Sequence, residues 1–218
     1  MLLQSALAAE PHDRELLDAL ARAQLDVDPA EAYATTGRLI ALEPDDPDAH
    51  YLAALASLDV EQGKRALAHA ERVAELAPWW APAHAVLADA LARRPRQRKQ
   101  ALAAADRAIE LDPHAVVGYV AAGNVELGHG KWKQAEGWYR RALELEPHNR
   151  AAQLNLVVAQ EAGGRLAPAF VDVGALLRFD PRDAEARSRI DELVYTTLVH
   201  LQWIAAVLAL VASGIRDG

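Results

Sequence analysis

The chain of 218 residues contains no cysteine, one methionine, two phenylalanines and only four lysines. Without cysteine it forms no disulfide and no thiolate metal site, an absence compatible with any compartment. The shortage of lysine, against 19 arginines, is a pattern that accompanies GC-rich bacterial genomes. Acidic residues outnumber basic ones and the formal net charge is -8, so general attraction to nucleic acid is not expected. HExxH, GxGxxG, a P-loop and a nucleophile elbow are all missing. Each of those spacings serves a defined chemistry, and without them the sequence points away from an enzyme and from any cofactor. The opening MLLQSALAAEPHDRE has neither a basic stretch nor a long apolar run, so no cleavable signal peptide is expected.

What the chain has is apolar bulk and a period. Apolar residues make up 52% of it, ample for a core. Pro11, Pro44, Pro78, Pro113, Pro147 and Pro181 follow one another at steps of 33, 34, 35, 34 and 34 residues. A period near 34 marks a solenoid of helix-turn-helix units, each burying its apolar face on its neighbours. Such an architecture binds through an extended surface.

Within the segment ending at Pro147, counted as position 32, Tyr119 falls at 4, Ala122 at 7, Gly123 at 8, Ala135 at 20, Tyr139 at 24 and Ala142 at 27. Small residues at 8 and 20 let two helices approach, and bulky ones at 4, 7 and 24 fill the gaps. Ala32, Ala66, Ala101 and Ala169 repeat position 20, while Ala21, Ala54 and Ala88 repeat position 8. Pro29, Gly63, Pro95, Gly130 and Gly163-Gly164 stand at the turns expected between the paired helices. This pattern resembles the tetratricopeptide repeat family. The resemblance covers Arg14 to Pro181 and implies an all-α, right-handed solenoid of about five full repeats. It also implies a binding role without catalysis.

The ends depart from the repeat. Leu2 to Glu10 reads as the last half of a second helix, with Leu3 at 24 and Ala6 at 27. After Pro181 a new first helix begins, and from Leu193 to Ile215 no Asp, Glu, Lys or Arg occurs over 23 residues. A helix of that length spans roughly 34 Å, enough for a bilayer core of about 30 Å. Trp203 to Ala212 is apolar on every side, whereas Tyr195, Thr196, Thr197, His200 and Gln202 make the first half mixed. The expectation is a solenoid over 1–192, a transmembrane or capping helix over 193–215 and a short tail, 216–218. A transmembrane helix there would place the protein at a membrane, with the repeats on the cytoplasmic side. Arg187 and Arg189 before the run support that orientation weakly.

The family resemblance places the inner-face positions 2, 5, 6, 9, 12 and 13 on Val117, Val120, Asn124, Leu127, Leu154, Asn155 and Val158, among others. Asn124 and Asn155 are expected to hydrogen-bond the backbone of a bound peptide, with Val120 and Leu154 supplying apolar contact. Arg189, at position 6 of the partial sixth repeat, resembles part of a clamp for carboxylate tails. Val120 and Glu185 stand where that clamp has lysines, so chaperone-tail binding is not implied. Trp79 and Trp80 follow Pro78 directly, and one or both are expected to face a partner or an adjacent loop. Arg93 to Lys99, RRPRQRK, is a basic loop for anionic lipid headgroups or for neighbouring acidic helix ends. The eight histidines, spread about one per repeat and roughly 10 Å or more apart, form no metal site.

Two functions follow. One is a membrane-tethered scaffold that recruits another protein through its inner face. The other is a subunit of a homo- or hetero-oligomeric assembly that buries the apolar C-terminal helix.

Overall fold

The computed structural model describes residue 7, residues 10–59 and residues 63–216, with no side chains described at 200 and 204–216. The expected half-helix at Leu2 to Glu10, with Leu3 and Ala6, lies almost wholly outside these residues. All described elements are helices: α1 (Arg14–Leu25), α2 (Pro29–Leu42), α3 (Pro47–Asp59), α4 (Gly63–Leu76), α5 (Ala81–Ala92), α6 (Arg98–Leu111), α7 (Val116–Gly128), α8 (Trp132–Leu145), α9 (Arg150–Ala162), α10 (Leu166–Phe179) and α11 (Ala184–Arg216). The chain divides into two compact units, Met1–Pro147 and His148–Gly218.

The repeated proline has a recurring structural cause. Asp13 N–H donates to Glu10 O, Asp46 to Glu43 O, Trp80 to Ala77 O, Ala115 to Asp112 O and Asp183 to Asp180 O. In these five turns the proline is the second of four residues, where its fixed φ is already correct. The residue closing several of these turns caps the next helix: Asp13 accepts from Leu16 N, and Asp183 from Ala186 N. The side chain at position 4 then reaches back to the proline carbonyl. His50 Nε2 lies 2.9 Å from Pro44 O, His84 Nε2 lies 2.9 Å from Pro78 O, and Tyr119 Oη donates to Pro113 O at 3.1 Å. A histidine and a tyrosine are interchangeable there because both present an apolar ring with a hydrogen-bonding tip.

In the first unit the pairs α1–α2, α3–α4, α5–α6 and α7–α8 are helix hairpins. The first helices of successive hairpins, α1, α3, α5 and α7, also pack on one another. They form the inner layer. Alanines at positions 8 and 20 (Ala21, Ala54, Ala88, Ala32, Ala66, Ala101 and Ala135) are wholly buried, as the close approach demands. Pro29 and Gly63 do not sit in turns; they open α2 and α4. Proline suits a first helical position because the missing N–H would have no intrahelical partner. Gly130 does occupy a turn, at φ 70°.

In the second unit α9 packs on α10 and α10 on α11. Leu154, Val157, Ala169, Val173, Leu176, Ala186 and Leu193 make its core. Among the described side chains of α11, Ala186 and Leu193 are buried, whereas Val194, Tyr195, Leu198, Leu201 and Trp203 are exposed. The expected membrane span over 193–215 finds no support, since no helix among the described residues is long and apolar enough to cross a membrane. Side chains at 200 and 204–215 of that run lie outside the described residues.

Candidate functional site

Positions 2, 5, 9 and 12 of the first helices α5 and α7 lie on the inner face of the first unit. Val117, Val120, Asn124 and Leu127 are all half-buried there. Asn124 is not free to meet a ligand backbone as expected. Its Oδ1 accepts from Tyr139 Oη at 2.9 Å and its Nδ2 donates to Asp89 Oδ1 at 2.9 Å. The tyrosine fixes which way the amide points, and the amide in turn holds the carboxylate of the preceding repeat. Burial pushes the Asp89 carboxyl up to about 6, against the lowering influence of Asn124 and of Arg93. Burial, joined by the Asp89 charge, also raises the phenols of Tyr139 and Tyr51. Sequence reasoning misses Asp89, although it stands at position 9, the position Asn124 holds in the next repeat.

The second unit carries the other expected residues. Leu154 is in its core at 4% exposure, so it offers no surface to a peptide. It belongs to the apolar cluster with Val157, Ala169, Val173 and Leu176. Asn155 and Val158 are half-buried. Arg189 lies 2.6 Å from Glu192 and 3.8 Å from Glu161, so its charge is already answered within the unit. Burial raises the Glu161 carboxyl even with Arg189 beside it.

The tandem tryptophans separate. Trp80 packs on Tyr51, ring centroids 4.9 Å apart, while Trp79 is 73% exposed. The basic loop is divided too. Arg98 makes a forked contact with the buried Glu126 of α7, Nε to Oε2 at 2.9 Å and Nη2 to Oε1 at 2.6 Å. Arg96 is exposed, and Arg94 with Pro95, Arg96 and Gln97 lines an open depression.

The histidines are not all kept apart. His50 on α3 and His69 on α4 meet with Nδ1 atoms 3.0 Å apart, because both belong to one hairpin and face each other across it. Pro44 O can only accept, so His50 Nε2 carries a hydrogen. Neutral His50 then accepts at Nδ1 from His69 Nδ1–H, which leaves His69 Nε2 to accept from Tyr33 Oη at 3.4 Å. Burial above all, with the neighbouring His50 and Arg65, lowers the His69 imidazole. No group of three metal-binding side chains occurs among the described residues.

With hairpins, inner layer and turn chemistry established, the chain can be set beside known structures. It matches a thermophilic tetratricopeptide-repeat protein of Thermus thermophilus at a TM-score of 0.75 and 22% identity, over 84% of this chain and 99% of that one. The chain has the tetratricopeptide-repeat fold. A tetratricopeptide-repeat protein from Parabacteroides merdae matches at a TM-score of 0.67 and 14% identity, over 90% of this chain and 78% of that one. YrrB, described as having an unusual peptide-binding site, matches at a TM-score of 0.50 and 18% identity, over 88% and 98%. A sequence relative is the repeat-containing thioredoxin TTL4 of Arabidopsis thaliana, 38% identical over 72 residues. That match takes in 33% of this chain and only 11% of the plant protein. No family model matches the chain. In this repeat fold, Tyr139, Asn124 and Asp89 tie three helices of adjoining repeats at the inner face.

Proposed function

We propose that the chain is a protein-binding scaffold whose inner helix layer receives an extended segment of a partner protein. The observation that carries this reading is the inner face of the first unit, where half-buried apolar side chains, Val117, Val120 and Leu127, flank the polar pair Asn124 and Asp89. Apolar contact with a few convergent polar groups is the composition of peptide grooves. The peptide-binding description of YrrB supports the same reading. A photo-crosslinking residue tests it. Placed at Leu127 it should trap a partner protein in cells, whereas placed at the exposed Lys133 of α8 it should not. Equal trapping at both positions, or none at Leu127, removes the reading.

A second proposal concerns α11, whose exposed Val194, Tyr195, Leu198, Leu201 and Trp203 follow its seated first turns. We propose an attachment helix, covered by other chains of an assembly or by a bilayer through 193–215, with anionic lipid at 93–99 belonging to the bilayer case. The support is the charge-free run together with the continuity of the helix to Arg216. Carbonate extraction followed by light scattering separates the cases. Release as a higher oligomer favours the assembly, retention in the pellet favours the bilayer, and release as a monomer removes both.

A further inference from the structure

Asp89 is a carboxylate held in a fixed direction and incompletely used. Asn124 Nδ2 fills one of its acceptor directions at 2.9 Å, and Asn124 cannot turn away while Tyr139 Oη donates to its Oδ1 at 2.9 Å. A carboxylate offers about four such directions. Asp89 makes no ion pair within 4.0 Å with a described residue. It is recessed at the inner face, where the residue is half-buried rather than sealed in the core.

Its electrostatic surroundings come from the elements packed on one another here. Arg93, the residue capping the C-terminus of α5, acts on it through space without touching it. Asn124 faces it from α7, and the phenols of Tyr139 on α8 and Tyr51 on α3 feel its charge. Neither phenol carries a charge of its own at neutral pH.

We propose that Asp89 anchors a cationic side chain of the bound segment, a guanidinium above all, at the floor of the inner face. This rests on the inner face being the partner site. A planar guanidinium presents paired donors that match the two oxygens of a carboxylate, and it is more weakly hydrated than an ammonium. A recessed site favours it for that reason. The raised carboxyl, about 6, agrees with the geometry: at neutral pH Asp89 is ionised against the preference of its surroundings, and an arriving cation relieves that cost. Recognition of this kind selects basic segments, the opposite of a clamp for acidic tails.

The experiment uses the isotopically labelled full chain and N-acetylarginine amide as probe, with N-acetylleucine amide as the neutral control. Side-chain amide signals of Asn124 and backbone signals of residues 85–93 are followed by NMR at pH 7.5 and pH 5. The arginine derivative should shift them saturably, and the leucine derivative should not. Affinity should fall about tenfold from pH 7.5 to pH 5 as Asp89 takes up a proton. The Asp89→Asn variant keeps an acceptor for Asn124 and should lose affinity about tenfold or more at pH 7.5. A thermal unfolding curve confirms that this variant is folded. No saturable shift, or an unchanged response in Asp89→Asn, overturns the proposal. Trapping at Leu127 without an arginine response removes the cation subsite and leaves the partner reading. An arginine response without trapping at Leu127 removes the partner reading and leaves the subsite.

Discussion

Gly123 on α7 lies directly against the ring of Tyr139 on α8. A Cβ built on Gly123 would stand 2.7 Å from Tyr139 Cδ1, closer than real carbon contacts come. Tyr139 is itself wholly buried, so its ring has nowhere to retreat. The same ring delivers the hydroxyl that orients Asn124. Close packing of one hairpin and the geometry of the inner face therefore share one contact.

Gly123→Ala should destabilise the protein by about 2–3 kcal/mol, the usual cost of overpacking a filled core. Urea unfolding followed by circular dichroism measures it. Gly137 has nothing within 4 Å of a built Cβ. Gly137→Ala should be neutral or stabilise by up to about 1 kcal/mol through helix propensity.

Asp89→Asn should stabilise the free protein at pH 7.5. The native carboxyl lies near 6, raised by burial from an ordinary value of 3.8. The native state thus holds a proton that the unfolded chain has released between those values, and native stability falls as pH rises from about 4 to 6. A shift of about two units is worth up to about 3 kcal/mol. The variant should exceed the wild type by up to that amount at pH 7.5, and the advantage should shrink at pH 4. Thermal unfolding at both values checks it.

The imidazole chain should give a pH dependence of the opposite sign. His69 is lowered, chiefly by burial, so the unfolded chain takes up its proton first as pH falls. That contribution to stability is full above about pH 7 and is lost on acidification. In the Asp89→Asn background, where Asp89 no longer titrates, stability should fall from pH 7 to pH 5. His69→Gln should flatten the fall. Nitrogen-15 shifts of the imidazoles should show His50 protonated at Nε2 and His69 at Nδ1 at pH 7.5.

Arg98→Ala should cost about 3 kcal/mol, because it strands Glu126, which is only 5% exposed. The double variant Arg98→Met, Glu126→Leu should lie within about 1 kcal/mol of the wild type. Four-way comparison of unfolding energies separates the coupling from the two single effects.

Periodic features are legible in the one-dimensional chain. The proline spacing implies helix hairpins, and the fold supplies the cause, a turn in which proline's fixed φ is already correct. The small residues at positions 8 and 20 imply close helix approach, and those alanines are wholly buried. Aromatic slots are legible as positions, yet the shared reach of His50, His84 and Tyr119 to the proline carbonyl is not. That bond depends on the turn closing first.

Partnerships across the packed layers are not legible in the same way. Register puts Asn124 on the inner face but cannot show its amide already engaged on both sides. It separates the histidines by repeat, while two of them meet inside one hairpin. It places Leu154 at a binding position, and packing draws it into the core of the second unit. Arg98 reads as one cation of a basic loop, and a glutamate on the next helix claims it. A one-dimensional period fixes which face a side chain takes, since helix geometry is local. Which group it then meets depends on the neighbouring hairpin, and that contact exists only once the layers have stacked.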